Sequence, residues 1–140
     1  MIKIDTSQLI KIAIKARDNA YSPYSNFKVG SALLCSDCTI FEGANIESAS
    51  YTPTNCAERT AFFKAVYEGH KKFESIAIVG GYDNIERDFC YPCGVCRQVM
   101  MEFCDPKTFK IIVAKDENNY KEYILEELLP YGFGPKDIEI

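Results

Sequence analysis

The 140-residue chain has one histidine, His70, so any metal centre it builds has to rely mainly on sulfur or oxygen. It also lacks an excess of positive charge. Its net charge is −4, which argues against a protein whose main task is to grip a phosphate backbone. No apolar run approaches the roughly 18 residues a membrane span needs. The opening Met1-Ile2-Lys3-Ile4-Asp5 lacks the apolar core and cleavage site of a secretory signal. No repeat, linker or low-complexity tract is visible. The expectation is one cytosolic domain over 1–140 that binds neither membrane nor nucleic acid.

Against those absences stand seven cysteines. Cytosolic thiols stay reduced and an odd number completes no disulfide framework, so metal binding, catalysis or core packing are the expected uses. The apolar spacing predicts a helix from an N-cap among Asp5, Thr6 and Ser7 to about Ala20. A loop with Pro23 follows. Alternation at Phe27, Val29, Leu33 and Cys35 predicts a strand, Ser36-Asp37 a turn, and Thr39-Ile40-Phe41 the return of a hairpin. Residues 43–55 are polar and irregular, an ordered loop of the kind that carries function. A second helix is expected from near Cys56 to Gly69, and a covered strand over Ile76–Val79 ended by Gly80-Gly81. A third helix over Gly94–Phe103 precedes strands at Phe109–Ala114 and Tyr120–Leu125, then a tail rich in Pro, Gly and aromatics. Helices alternating with strands imply a three-layer α/β/α fold, a mixed sheet of about five strands with helices on both faces.

Two cysteine segments enter predicted helices, Cys56-Ala57-Glu58-Arg59 and Pro92-Cys93-Gly94-Val95-Cys96-Arg97-Gln98. Cys93 and Cys96 are three apart, so both thiols can face one way, and Cys56 can add a third sulfur. A helix N-terminus favours the thiolate a metal needs. Three protein ligands leave a tetrahedral zinc one position for water. Three thiolates on Zn²⁺ sum to −1, which weakens the metal as an acid. Arg59, three after Cys56, is placed to offset that charge. Glu58 is the acid–base candidate. Its two-residue offset from Cys56 converges with the sulfurs only if the metal lies off the helix end. Nucleobase deaminases use this ligand pattern with a non-ligating Glu.

The chain resembles the small zinc-containing cytidine deaminases over nearly all its length. Beside the two cysteine segments, Tyr21-Ser22-Pro23-Tyr24-Ser25-Asn26-Phe27-Lys28-Val29-Gly30 is similar to the family's N-terminal signature. Gly43-Ala44-Asn45-Ile46-Glu47 resembles its nucleoside loop, and Leu128-Leu129-Pro130-Tyr131-Gly132-Phe133 its tail. The resemblance implies one zinc per subunit and hydrolytic deamination of cytidine and 2'-deoxycytidine, within pyrimidine salvage. It implies ribose contacts from Asn45 and Glu47, with Phe27 and Ala57 also at the substrate. It implies a cytoplasmic homotetramer in which Phe133 completes a neighbour's site and Tyr51 lies at a subunit boundary. Glu47 would repel a phosphate, favouring nucleosides over nucleotides. Another cytosine nucleoside, such as an antibiotic, is the alternative substrate. The chain departs from the family at Cys38, where Gly is frequent in the hairpin turn, at Ser48, and in Thr52-Pro53-Thr54.

Plainer roles remain for several residues. Cys35-Ser36-Asp37-Cys38 is a second Cys-x-x-Cys that could join Cys93 and Cys96 in a four-sulfur site. Cys93 and Cys96 could be a redox pair, and Cys90 could close the metal site as a fourth ligand. Cys35, Cys38, Cys90 and Cys104 otherwise read as buried or half-buried thiols, and His70 as a surface residue. Arg97 and Gln98 read as structural.

Overall fold

The computed structural model describes residues 3–138. Asp5 caps helix α1 (Thr6–Ala16) through a capping box with Gln8. The helix ends four residues before the expected Ala20 and passes into a 3-10 turn over Arg17–Asn19. The Arg17 backbone is still helical and its amide still donates to Ala13, while its side chain donates to the carbonyls of Lys28 and Gly81 at 3.1 and 2.8 Å. Asp18 and Asn19, both weak helix formers, complete the tighter turn, and the chain becomes extended at Ala20.

Strand β1 (Lys28–Cys35) and strand β2 (Ile40–Ala44) form the hairpin. Cys38 sits in its turn at φ +71°, a left-handed conformation that explains why glycine suits this position. Helix α2 (Ala57–Tyr67), strand β3 (Phe73–Gly81), helix α3 (Gly94–Phe103) and strands β4 (Lys110–Asp116) and β5 (Asn119–Ile124) follow. A short helix α4 (Leu125–Leu128) begins where the last strand was expected to end. Buried Leu125 anchors it, and the Glu127 side chain accepts from the Ile124 amide at 2.9 Å.

The sheet order is β2-β1-β3-β4-β5, with β3 and β4 the parallel pair. Strand β3 is longer than the apolar run Ile76–Val79 because β1 pairs along it from Phe73 to Gly81. Gly80 therefore lies inside the strand. A Cβ on it would come within 2.8 Å of Cys90 Sγ, so the missing side chain serves a close approach and does not stop the strand. Helix α1 packs Leu9, Ile10 and Ala13 on one face, against Ala32, Ala77 and Val79. Helices α2 and α3 pack Phe62, Ala65, Cys96 and Met100 on the other, against Leu33, Ile76, Ile78 and Ile111. The sheet is thus covered on both sides, as the alternating pattern predicted. Among the described residues no helix is long and apolar enough to cross a membrane.

The register gathers functional segments at one end. Lys28 faces Gly81, and Gly30 faces both Val79 and Ala44. The start of β1, the end of β2 and the end of β3 therefore meet where the chain departs toward Cys56 and Cys93. Ligands of open α/β sheets bind at such carboxyl ends of strands. The hairpin turn lies at the other end.

Candidate active site

Cys56 and Cys93 are the N-cap residues of α2 and α3, each extended at the cap, and Cys96 is one turn into α3. Two helix N-termini thus converge, and their partial positive charge favours thiolates. Cys56 Sγ lies 3.6 Å from Cys93 Sγ, and Cys93 Sγ lies 3.4 Å from Cys96 Sγ. All three sulfurs fall within 4.8 Å of one another. Zn–S bonds of about 2.3 Å at tetrahedral angles require S–S edges of about 3.8 Å. The trio fits that ion after a small expansion. Cys96 is buried and Cys93 exposed, so the cluster opens to solvent on the Cys93 side.

Arg59 donates from Nη2 to Cys56 Sγ at 3.3 Å, and its Nε is buried without a partner. Burial opposes the guanidinium charge, but bonds to the Cys56 and Cys96 thiols outweigh it and hold Arg59 protonated. The Cys96 thiol, then Arg59, pull Cys56 down to about 5. Glu58 is 4% exposed. Burial and then the Cys56 thiolate push its carboxyl up to about 7, a value suited to taking and giving protons near neutrality. The sequence left open whether the two-residue offset from Cys56 would defeat Glu58. Because Cys56 is the cap and not part of the helix, the 3.6-residue period does not separate them.

The start of α2 is held down tightly. Ser31 Oγ donates to the Ala57 carbonyl at 2.9 Å. Thr60 Oγ1 lies 3.1 Å from the carbonyls of both Ala44 and Cys56 and receives the Asn55 side chain at 3.1 Å. A Cβ on Gly43 would come to 2.1 Å from the Ala57 carbonyl, so only glycine lets the helix start approach β2 this closely. Ser31, Gly43, Asn55 and Thr60 were not singled out from the sequence. Each acts by contacts that depend on the hairpin register, which no local pattern reports.

Phe27, Asn45 and Glu47 form a second group. Asn45 is buried, its Oδ1 accepting from the Val29 amide at 2.9 Å and its Nδ2 donating to the Phe27 carbonyl at 2.8 Å. Glu47 accepts from the amides of Tyr24 and Ser25 at 3.1 Å and from the Ser25 hydroxyl. The Ser25 hydroxyl is the main reason its carboxylate is held below the usual range. The expected irregular loop is pinned, with Ile46 and Asn55 exchanging backbone bonds at 2.9 Å. The Phe27 ring meets Tyr82 edge-on at 5.2 Å. Phe133 stands apart from both groups. Its ring is 59% exposed, while its carbonyl accepts from Gln98 at 2.8 Å. Arg97 donates to the carbonyls of Pro92 and Leu128 at 2.8 and 2.6 Å, so the turn carrying Cys93 is bonded to the tail.

Cys35 and Cys38 do not approach Cys93 and Cys96, so the four-sulfur arrangement does not form. Cys90 packs on Gly80 and is not among the clustered sulfurs. His70 is half-buried, not a free surface side chain. Its Nε2 lies 3.2 Å from Asp37 Oδ2, and its ring packs edge-on against Phe41.

Residues 3–112 match the family described as "Cytidine and deoxycytidylate deaminase zinc-binding region". The chain is 47% identical over 135 residues to a cytidine deaminase of Halalkalibacterium halodurans, covering 96% of this chain and 98% of that one. It is 43% identical to a cytidine deaminase of Sporosarcina psychrophila over 96% of each. The crystal structure of a cytidine deaminase from Burkholderia pseudomallei superposes with a TM-score of 0.84 at 42% identity, covering 93% of this chain and 100% of that one.

Proposed function

The chain belongs to the cytidine and deoxycytidylate deaminase family, and from that premise we propose that Cys56, Cys93 and Cys96 hold its metal and that Glu58 moves its protons. It is a zinc-dependent enzyme that hydrolyses cytidine to uridine and ammonia. The observation that carries the assignment of residues is the convergence of three sulfurs with one buried carboxyl.

Zinc held by the three sulfurs supplies a Lewis acid that makes water a usable nucleophile near neutral pH. The protein does the rest. Glu58 Oε accepts a proton from the water that attacks C4 of the cytosine ring and delivers it to N3. It then carries the second proton to the departing amine, so that cytidine and water become uridine and ammonia. A carboxyl poised near 7 can serve in both directions. Arg59 withdraws charge from Cys56 and keeps the three-thiolate set from weakening the Lewis acid.

Phe27, Ala57, Asn45 and Glu47 form the substrate side. The Asn45 amide fixes the backbone of Phe27 and Val29, and its remaining lone pair and N–H, with Glu47, suit the hydroxyls of a neutral sugar. Glu47 carries a charge that disfavours a nucleotide's phosphate. Ribose and 2'-deoxyribose nucleosides are both in scope, and the named relatives do not favour an antibiotic substrate. The exposed ring of Phe133 is available to a neighbouring subunit, and Tyr51, 76% exposed, lies on the same expected boundary. A homotetramer, a cytosolic location consistent with seven free thiols, and a role in pyrimidine salvage complete the reading. Arg97 and Gln98 bond the tail to α3, which supports one domain over the whole chain.

The test measures zinc content together with the absorbance loss of cytidine, deoxycytidine, cytidine monophosphate and a cytosine oligonucleotide. Deamination of both nucleosides, dependent on zinc, with the other two substrates inert, is expected. Faster turnover of the monophosphate or the oligonucleotide would overturn the substrate assignment.

A further inference from the structure

A second constellation of metal-ligating side chains lies at the far end of the sheet. The second Cys-x-x-Cys occupies the β1–β2 turn, and the fold brings one of its cysteines against His70. Helix α2 ends in a Schellman motif: Gly69, at φ +93°, donates to the Val66 carbonyl and His70 to the Ala65 carbonyl, at 3.0 and 2.9 Å. That geometry turns the His70 ring back onto the hairpin. The hairpin turn is equally fixed. The Cys35 amide donates to Thr39, the Ser36 amide to Lys72, and the Thr39 amide to Asp37 Oδ1, at 2.8, 2.9 and 3.0 Å.

Cys35 Sγ, a carboxylate oxygen of Asp37 and a ring nitrogen of His70 thus lie within 4.8 Å of one another. We propose that these three residues form a second metal site, for a divalent ion of borderline softness such as Zn²⁺, separate from the catalytic trio. Sulfur, imidazole and carboxylate together match that class of ion. His70 Nε2 lies 3.2 Å from Asp37 Oδ2. Bonds of about 2.0–2.1 Å at tetrahedral angles span about 3.3–3.4 Å, so an ion can replace the proton between them with little movement. The Cys35 side chain is buried. Three protein donors leave a fourth position for water at the exposed Asp37 side. The ion would tie the hairpin to the end of α2. Helix α2, eleven residues and so about 16 Å long, runs from Cys56 at its start to this site at its end.

The experiment compares the holoenzyme with His70→Gln and Asp37→Asn, both near the surface. Each is equilibrated with buffered zinc and freed of loosely held ion, and metal per chain is measured beside the cytidine rate. The wild type should carry one more zinc per chain than either variant, with the cytidine rate unchanged. With cobalt(II) in place of zinc, the near-ultraviolet thiolate-to-cobalt band should lose intensity in His70→Gln. Equal metal in all three proteins, or an extra equivalent that persists in both variants, overturns the proposal. Comparison with Cys93→Ala keeps the two sites distinct. That variant should lose a different equivalent, together with activity.

Discussion

Replacing Glu58 by glutamine keeps the volume and one carbonyl oxygen of a residue that is 4% exposed, and removes the oxygen that the proposed mechanism uses to carry the proton. The cavity around it stays filled, so the cost of an emptied core position does not enter. On the role proposed for Glu58, what is lost is proton transfer to N3 and to the leaving amine. Positioned acid–base groups contribute about 10²–10⁴ in rate, or about 2.7–5.4 kcal/mol of barrier. Because one carboxyl serves both transfers, the expected fall in kcat is toward the upper end of that range. The sulfurs are untouched, so zinc per chain should equal that of the wild type, and KM should move by no more than about threefold. The assay is initial-rate absorbance loss of cytidine at saturating substrate, with metal analysis on the same sample. A kcat within tenfold of wild type, at full zinc, would refute the role given to Glu58.

The same carboxyl makes a pH prediction for the protein stripped of metal. Its folded value of about 7 exceeds its ordinary 4.5, so the folded state holds the proton more tightly than the unfolded one. The contribution of Glu58 to stability is therefore complete below 4.5, falls as pH rises toward 7, and levels off with a penalty of about 3 kcal/mol. Urea unfolding should show Glu58→Gln more stable than the stripped wild type at pH 8 and equal to it at pH 4; equality at both would contradict the burial argument. Arg59→Gln, which leaves Cys56 without its cation, should weaken zinc binding by about 10–100-fold in competition with a chelator. Gly43→Ala should cost about 1–3 kcal/mol and depress kcat, because its Cβ meets the Ala57 carbonyl at the helix start that carries Cys56 and Glu58. Gly69→Ala has open space around it but holds φ +93°, so it should cost about 1 kcal/mol and leave kcat alone.

The parts legible in the sequence were those decided locally. Helix α3 was read at its observed limits because Pro92 and the Cys93 cap mark its start in neighbouring residues. Helix α1 was read correctly at Asp5, and the helical run does stop just before Ala20, but its last residues, Arg17–Asn19, tighten to a 3-10 turn that the apolar spacing did not show. Gly80-Gly81 does mark the end of β3, but as its last two residues and not as a break after Val79, since pairing with β1 runs on to Gly81. Cys93 and Cys96 were legible as a pair from their spacing, and Cys56 as a candidate third sulfur from its place at a second helix start and from the family resemblance. The fixing of α2 by Ser31, Gly43 and Thr60 was not, because it depends on where β2 lies beside the helix. The meeting of Cys35 and Asp37 with His70 was hidden for the same reason. It rests on the pairing of Cys35 with Phe73, which brings the hairpin turn beside the chain that leaves α2.

Zinc K-edge absorption on the protein loaded with one equivalent tests the central assignment most directly. The expected shell is three sulfurs at about 2.3 Å and one oxygen at about 2.0 Å, collapsing to two sulfurs in Cys93→Ala. Four sulfurs, or a single sulfur with nitrogen and oxygen, would contradict it.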